Sequence, residues 1–362
     1  LRSALIINCL LLGVFFSSPL NGQLMKTDAF RRGESSSQEK KPSALENEAG
    51  GLPNVSTRTK HSSNGFVVSA DFLAWFPSQE PFSIVADVIT AGLNTSSFTV
   101  PGFDFKWDYG FRIGAGANLA YDQWDTIVSW TSYSTEAVRP LPPMADIVLI
   151  NPEFFAASLS EDKPHSMKVK WSLAYNMIDW ELARSYWVSR DLSMRPFVGL
   201  KGGLIDQSIH AHYNHLTIAN VPTDASAKER LKNNFWGIGP SGGVNTKWRV
   251  RNFGFHFFDL FGDFSLAAMW GSWRCSDIYE NSLLQKTSVR TKNAYLGALM
   301  FRGFLGIGWD ADLRGGSSHF ATKLGYEMQF WLNQMRFNTF QLQRLHFDLT
   351  LQGVTFNCRY DF

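Results

Sequence analysis

Cysteine is scarce, three in 362 residues, too few for a scaffold held together by disulfides. Cys9 lies in the apolar start of the chain, which leaves Cys275 and Cys358. One pairing between these two is open, but Cys358 falls on an apolar face, where a buried or lipid-facing thiol is the simpler reading. Charge of one sign is missing as well. The formal net charge is +2 with no Lys/Arg block, so nucleic acid is not an expected partner. Leu-rich helical stretches are few, and beyond residue 16 no apolar run reaches the roughly 20 residues that a transmembrane helix needs. In excess are aromatic residues, 15% of the chain with 13 Trp and 30 Phe.

The first residues read as a secretory signal over 1–22. Arg2 precedes the apolar run "ALIINCLLLGVFF" (4–16), and "SSPLNGQ" supplies small residues near the expected cleavage site. The run is short for a membrane anchor, and no Cys follows it directly as a lipoprotein would require. Residues 23–64, including "RRGESSSQEKKPSALENEAGG", lack the apolar side chains to offset the entropy of ordering, and are expected to be disordered.

From Gly65 the chain becomes a series of alternating segments. The last ten residues, "GVTFNCRYDF", set Val354, Phe356, Cys358, Tyr360 and Phe362 against Thr355, Asn357, Arg359 and Asp361. Side chains on a strand alternate between faces, so this segment has one apolar and one polar side. "SMKVKWSLAYNM" (166–177) sets Met167, Val169, Trp171, Leu173, Tyr175 and Met177 against Lys168 and Lys170, and "LHFDLTL" (345–351) repeats the pattern. A soluble β-sandwich would show shorter strands and would leave the aromatic excess unexplained. Roughly ten-residue alternating segments with aromatics near their ends predict a single antiparallel transmembrane β-barrel over 65–362. The terminal decad, Val354, Phe356, Cys358, Tyr360 and Phe362, then reads as an outer-membrane assembly signal.

Short connections (122–123, 189–191, 250–253, 310–318) alternate with longer ones (77–107, 134–165, 218–233, 273–290, 333–343), as in barrels with short periplasmic turns. The tally gives at least ten strands and leaves 10–16 open. Segment 80–107 has room for another hairpin. The apolar face also changes at Met177–Ile178 and again at Leu204–Ile205, as either a bulge or a turn. Taking the apolar face as lipid-facing throughout puts Arg112, Lys168, Lys170, Arg195, Lys201, Lys323, Glu327, Arg344 and Asp348 inside as pore-lining candidates, with Asp259, Asp263 and Arg359. Both signs occur, which fits a paired, partly filled interior as well as an open pore.

Three motifs carry little chemistry. "GIGPSG" (237–242) has dinucleotide-loop spacing, but Pro240 interrupts it and strand-like sequence follows. In "HAHYNH", His210 and His212 share a face with His215 nearby, but a third metal ligand is not evident. His256 has the opposite parity from Asp259 and Asp263, so no nucleophile, base and orienting group assemble. No catalytic residue, cofactor or metal is expected, and the chain is read as non-enzymatic.

Several stretches in order, "SADFLAWF", "DFKWDYGFRIGAGANL", "WSLAYNMIDWELAR", "LSMRPFVGLKGGLIDQ", "NNFWGIGPSGGVNT" and "FLGIGWDADL", resemble the Legionella-type major outer membrane protein family, with MOMP-like proteins of Chlamydia-related bacteria. The resemblance covers about residues 65–362. It implies an abundant, integral outer-membrane barrel of a Gram-negative-type envelope, porin-like and surface-exposed, sometimes with a part in host-cell attachment. Expected partners are outer-membrane lipid, the barrel assembly machinery, a host-cell surface and further copies of the chain. Two functions follow as expectations: a porin-like channel for small hydrophilic solutes, which is favoured, or a structural or adhesive surface protein with a closed lumen.

Overall fold

The computed structural model describes residues 65–79, 87–91, 96–99, 103–119, 122–141, 147–151, 163–218, 221–253, 256–313, 318–338 and 344–362. The expected signal and disordered segments, 1–22 and 23–64, lie outside the described residues. Ten long strands form the barrel: β1 (Phe66–Gln79), β2 (Asp108–Asn118), β3 (Trp124–Leu141), β4 (Lys163–Arg184) and β5 (Leu192–Ile218). β6 (Ala227–Phe253), β7 (His256–Asn281), β8 (Lys286–Leu313), β9 (Ser318–Asn338) and β10 (Arg344–Asp361) complete it.

Each strand pairs antiparallel with its sequence neighbours, and β1 pairs with β10, so the ring closes without an edge. One hydrogen-bonded row followed around the ring leaves β1 at Val67 and returns to it at Gln79, a stagger of twelve residues (79 minus 67). Such a stagger for ten strands goes with a tilt of roughly 40°. Segment 80–107 does hold a hairpin, Asp87–Ala91 with Ser96–Thr99, but this joins Ile147–Asn151 in a separate three-stranded sheet. It therefore adds nothing to the barrel's circumference.

Gly65 and Phe362 lie at the end that carries connections 119–123, 185–191, 254–255 and 314–317; the Phe362 amide donates to the Phe66 carbonyl at 2.9 Å. This is the periplasmic end by the rule of short turns. At the other end 80–107 and 142–162 are long, whereas 282–285 and 339–343 are as short as the inner turns. The strands simply run on into what the sequence reading treats as loops.

The face changes at Met177–Ile178 and Leu204–Ile205 are neither bulges nor turns. β4 keeps one parity there, with Met177 inward and Ile178 outward, in unbroken register with β3 and β5. What changes is which side is apolar. Toward the periplasm, Ile178, Trp180, Val198, Leu200 and Leu204 face outward and are exposed, which suits lipid. Farther out, Trp171, Leu173, Tyr175, Ile205 and Ile209 face inward and are buried, while the outward side is polar. The two crossings are one boundary, because Asn176 pairs with Leu204 and Tyr175 with Ile205. On β6 and β7 it lies between outward Trp236 and inward Phe235, and between outward Trp270 and inward Trp273. A 27-residue strand such as β6 rises roughly 65–70 Å at about 3.3 Å per residue and about 40° tilt. The lipid band is only about 25 Å tall, so much of the barrel projects beyond the bilayer.

Candidate functional site: the lumen

Within the lipid-embedded half the inward side chains include a network of paired charges, with Phe197, Phe261 and Phe304 buried beside it. Near the periplasmic end Arg195 meets Asp125 at 2.5 Å and Glu181 at 3.0 Å. Lys247 meets Asp259 at 3.1 Å and also contacts Asp310, and Arg359 meets Asp361 at 2.8 Å. One level higher, Arg112 bridges Asp71 and Glu327, both at 2.8 Å, and Arg302 approaches Glu327 at 2.6 Å. Lys201 pairs with Asp179 at 2.5 Å and Lys323 with Asp263 at 2.9 Å. Glu327 is fully buried (0% exposed), and it also accepts from Thr355 at 3.0 Å and Gln329 at 3.1 Å. Charges taken out of water persist only when so matched.

Above this network the interior is apolar and aromatic. Trp75, Trp171, Trp273, Trp331, Tyr133, Tyr175 and Phe235 are fully buried in one cluster. Phe235 needs the two glycines beside it, since a Cβ at Gly237 or Gly271 would run into its ring. The glycines of "GIGPSG" thus sit in the middle of a continuous strand, with no helix to receive a pyrophosphate.

Opposite walls touch. β4 and β9 are five strands apart either way around the ring, yet Tyr175 donates its hydroxyl proton to Gln329 Oε1 at 2.8 Å, and its ring lies 6.0 Å from that of Trp331. The register of β9 breaks between Trp331 and Met335, with Asn333 at φ 49°. The freed segment folds inward past β8 and reaches β7 and β6. Trp273 Nε1 donates to the Gln334 carbonyl at 3.0 Å, and Asn233 Nδ2 and Cys275 Sγ donate to the Arg336 carbonyl at 3.1 and 2.5 Å. The Arg336 guanidinium stacks 4.2 Å above Trp273. From the other side, 103–107 folds in and sets Phe105 edge-on to Trp171 at 5.2 Å.

Of the residues the alternation sent inward, Arg112, Arg195, Lys201, Lys323 and Glu327 face the lumen, as do Asp259, Asp263 and Arg359. Lys168, Lys170 and Asp348 do not. Both lysines are exposed on the outer surface, and Lys170 pairs there with Glu136 at 2.8 Å. Asp348 accepts from the Asn333 amide at 2.6 Å on the outside. The error has one cause: these residues lie beyond the bilayer, where water makes the outer face polar and the inner face apolar. Arg344 opens β10, and its side chain lies outside the described residues. The terminal set Val354, Phe356, Cys358, Tyr360 and Phe362 faces outward, with the Tyr360 and Phe362 rings 4.7 Å apart.

Sequence reasoning put Gln329 on the polar face beside Glu327 but did not single out the other residues that meet inside the lumen: Tyr175, Trp331, Gln334 and Arg302. For Tyr175 the signal was legible as the reversal of apolar and polar sides along β4, and for Arg302 as its place on the polar side opposite Phe301 and Leu305. His210 and His212 face outward, and His215 pairs with Asp224 at 3.3 Å. Among the described residues no three His, Cys, Asp or Glu groups converge as metal ligands. Cys275 and Cys358 are both free thiols, one buried within the outer half and one on the lipid face.

The family model described as the Legionella pneumophila major outer membrane protein precursor matches residues 60–362. No curated protein matches the chain. Among solved structures, a major outer membrane protein from Thermus thermophilus is 8% identical, covering 83% of this chain and all of its own, at TM-score 0.29. A Pseudomonas aeruginosa FadL homologue is 9% identical over 83% of this chain and 90% of its own, at TM-score 0.24. The Pseudomonas putida toluene transporter TodX is 10% identical over 83% and 89%, at TM-score 0.20. Likeness this slight adds nothing on function, and the family match stands by itself. A closed ten-strand barrel with a lipid-suited belt and a match over most of its length place this chain in the Legionella-type major outer membrane protein family, as an integral protein of the outer membrane.

Proposed function

We propose that this protein is a non-enzymatic structural component of the outer membrane that presents its projecting half as surface, with its lumen closed at rest. The observation that carries this reading is the Tyr175–Gln329 hydrogen bond between opposite walls, backed by the buried ion network beneath it. Ten strands stand close to the eight-strand case in which side chains fill the interior. Any host-cell attachment would use the projecting half and the three-stranded sheet of 87–91, 96–99 and 147–151.

The second reading is a porin-like channel for small hydrophilic solutes, favoured by the charged inward face of the periplasmic half. It requires segments 103–107 and 332–336 to leave the lumen. Purified full-length protein in a planar bilayer separates the two. Wild type should give no stepwise conductance over many insertions, whereas Tyr175→Ala combined with Trp331→Ala should give small, unstable steps. Regular conductance steps from wild type would overturn the closed-lumen reading in favour of the channel.

A further inference from the structure

The outward faces of β4, β5 and β6 beyond the lipid boundary carry an ordered array of cations. Lys168, His212 and Lys228 are direct cross-strand neighbours, and so are Lys170, His210 and Arg230. The next row runs Ser172, Ser208 and Lys232. Acidic groups facing this array are few and mostly engaged: Glu136 holds Lys170, and Glu280 on β7, opposite Lys228, is tied to Lys286. Among the described residues Lys168, Lys228, Arg230 and Lys232 have no ion-pair partner. Lys168, Lys170, Lys228, Arg230 and Lys232 thus crowd one face with only imidazoles and hydroxyls between them, and such a concentration of one sign calls for an anion from its surroundings.

Its height identifies the source. Lys232 is four residues and Lys228 eight residues outward from Trp236, the last lipid-facing aromatic of β6. At about 3.3 Å per residue and about 40° tilt, the array stands roughly 10–20 Å above the hydrocarbon edge. Phospholipid headgroups extend only about 5–8 Å beyond that edge. Phosphates carried on sugars attached to a lipid reach farther. At the foot of the array lies a concavity of about 650 Å³ whose lining includes Glu136, Ser172, Asp206, Ser208, Lys232 and Asn234. The Ser172 and Ser208 hydroxyls lie 2.7 Å apart there. Hydroxyls, an amide and carboxylates suit sugar hydroxyls, and the cations above them suit phosphate.

We propose that this face of β4–β6 binds the phosphorylated saccharide head of an outer-leaflet glycolipid, with the acyl chains lying along the apolar belt below. The proposal does not depend on whether the lumen conducts. The test is the amount of phosphorylated glycolipid that the full-length protein retains through mild detergent extraction, read by native mass spectrometry. Wild type should retain it, and Lys228→Gln/Arg230→Gln/Lys232→Gln should lower retention at least tenfold while keeping the heat-modifiable gel mobility of a folded barrel. Glycolipid stripped of phosphate should be lost from wild type to the same degree. Burial and then the surrounding Arg230, Lys232 and Lys170 hold the His210 pKa below its ordinary value, and burial with Lys228, Arg230 and Lys168 does so for His212. Both should move upward in NMR titrations when the glycolipid binds. Equal retention by the folded triple variant, or of dephosphorylated glycolipid, would overturn the proposal. So would a soluble sulfated polysaccharide that binds this face and is not displaced by glycolipid.

Discussion

Ile178 and Lys170 stand on the same outward face of β4, eight residues apart, yet one is suited to lipid and the other to water. The inward face reverses with them: Asp179 and Lys201 pair inside the lower half, whereas Trp171 and Leu173 fill the upper half. Backbone, parity and pairing do not change along the way. The medium outside therefore dictates the outer face. The interior follows its own balance, with most ion pairs in the lower half and most of the large rings in the upper.

The sharpest way to break the lower half is Glu327→Ala, which leaves the Arg112 and Arg302 guanidiniums without their shared carboxylate. Removing one partner from a buried pair typically costs about 3–5 kcal/mol, and a fall of that size is expected in urea unfolding of the refolded barrel. An unchanged midpoint would mean that water reaches this network freely.

Next in size is a charge placed on the lipid face. Leu200→Lys, four residues toward the periplasm from the boundary at Leu204–Ile205 and so about 10 Å inside a band about 25 Å tall, should destabilise by about 2–4 kcal/mol, the cost of a cation near the bilayer midplane. The upper half offers a pH test of intermediate size. Burial, and for Glu229 also the neighbouring Asp277 carboxyl, raises both acids, with Asp277 pushed up to about 7. Both bind protons more tightly folded than unfolded, so their stabilisation is complete below about pH 4 and is lost as pH rises through about 7. Relative to the base-catalysed intrinsic rate, amides at the outer ends of β6 and β7 should be less protected at pH 8 than at pH 5 by about 2–3 kcal/mol. Equal or stronger protection at pH 8 would contradict the burial of these acids.

The smallest effect completes the contrast. Lys170→Leu, on the same face as Ile178 but above the lipid, should stay within about 0.5 kcal/mol of wild type. A gain of several kcal/mol would put Lys170 inside the membrane and erase the boundary drawn at Met177–Ile178.

The barrel and its lipid face were readable in the sequence wherever lipid acts on it. Val354, Phe356 and Phe362 alternate with polar residues for a single reason, and the structure places them outward as that reason requires. Met167 to Tyr175 alternate just as cleanly, but period two reports only that two faces differ and not which one is inside. Strands of about ten residues are what a bilayer demands, so the continuation of β7 through "SWRCSDIYEN" reads as loop when lipid is taken as the only surroundings. The lumen contacts were less legible still. Arg112 and Glu327 are 215 residues apart in sequence, and only the stagger of the ring brings them together.

Cys275 gives the seal a clock. Its sulfur lies against the Arg336 carbonyl in the segment that folds into the lumen, and burial pushes the thiol up to about 12, so at neutral pH it has almost no thiolate with which to react. A membrane-impermeant alkylating reagent added from outside can reach that sulfur only while 332–336 has swung away. The rate at which the label accumulates on intact cells therefore counts how often 332–336 leaves its place, one of the two movements that opening requires.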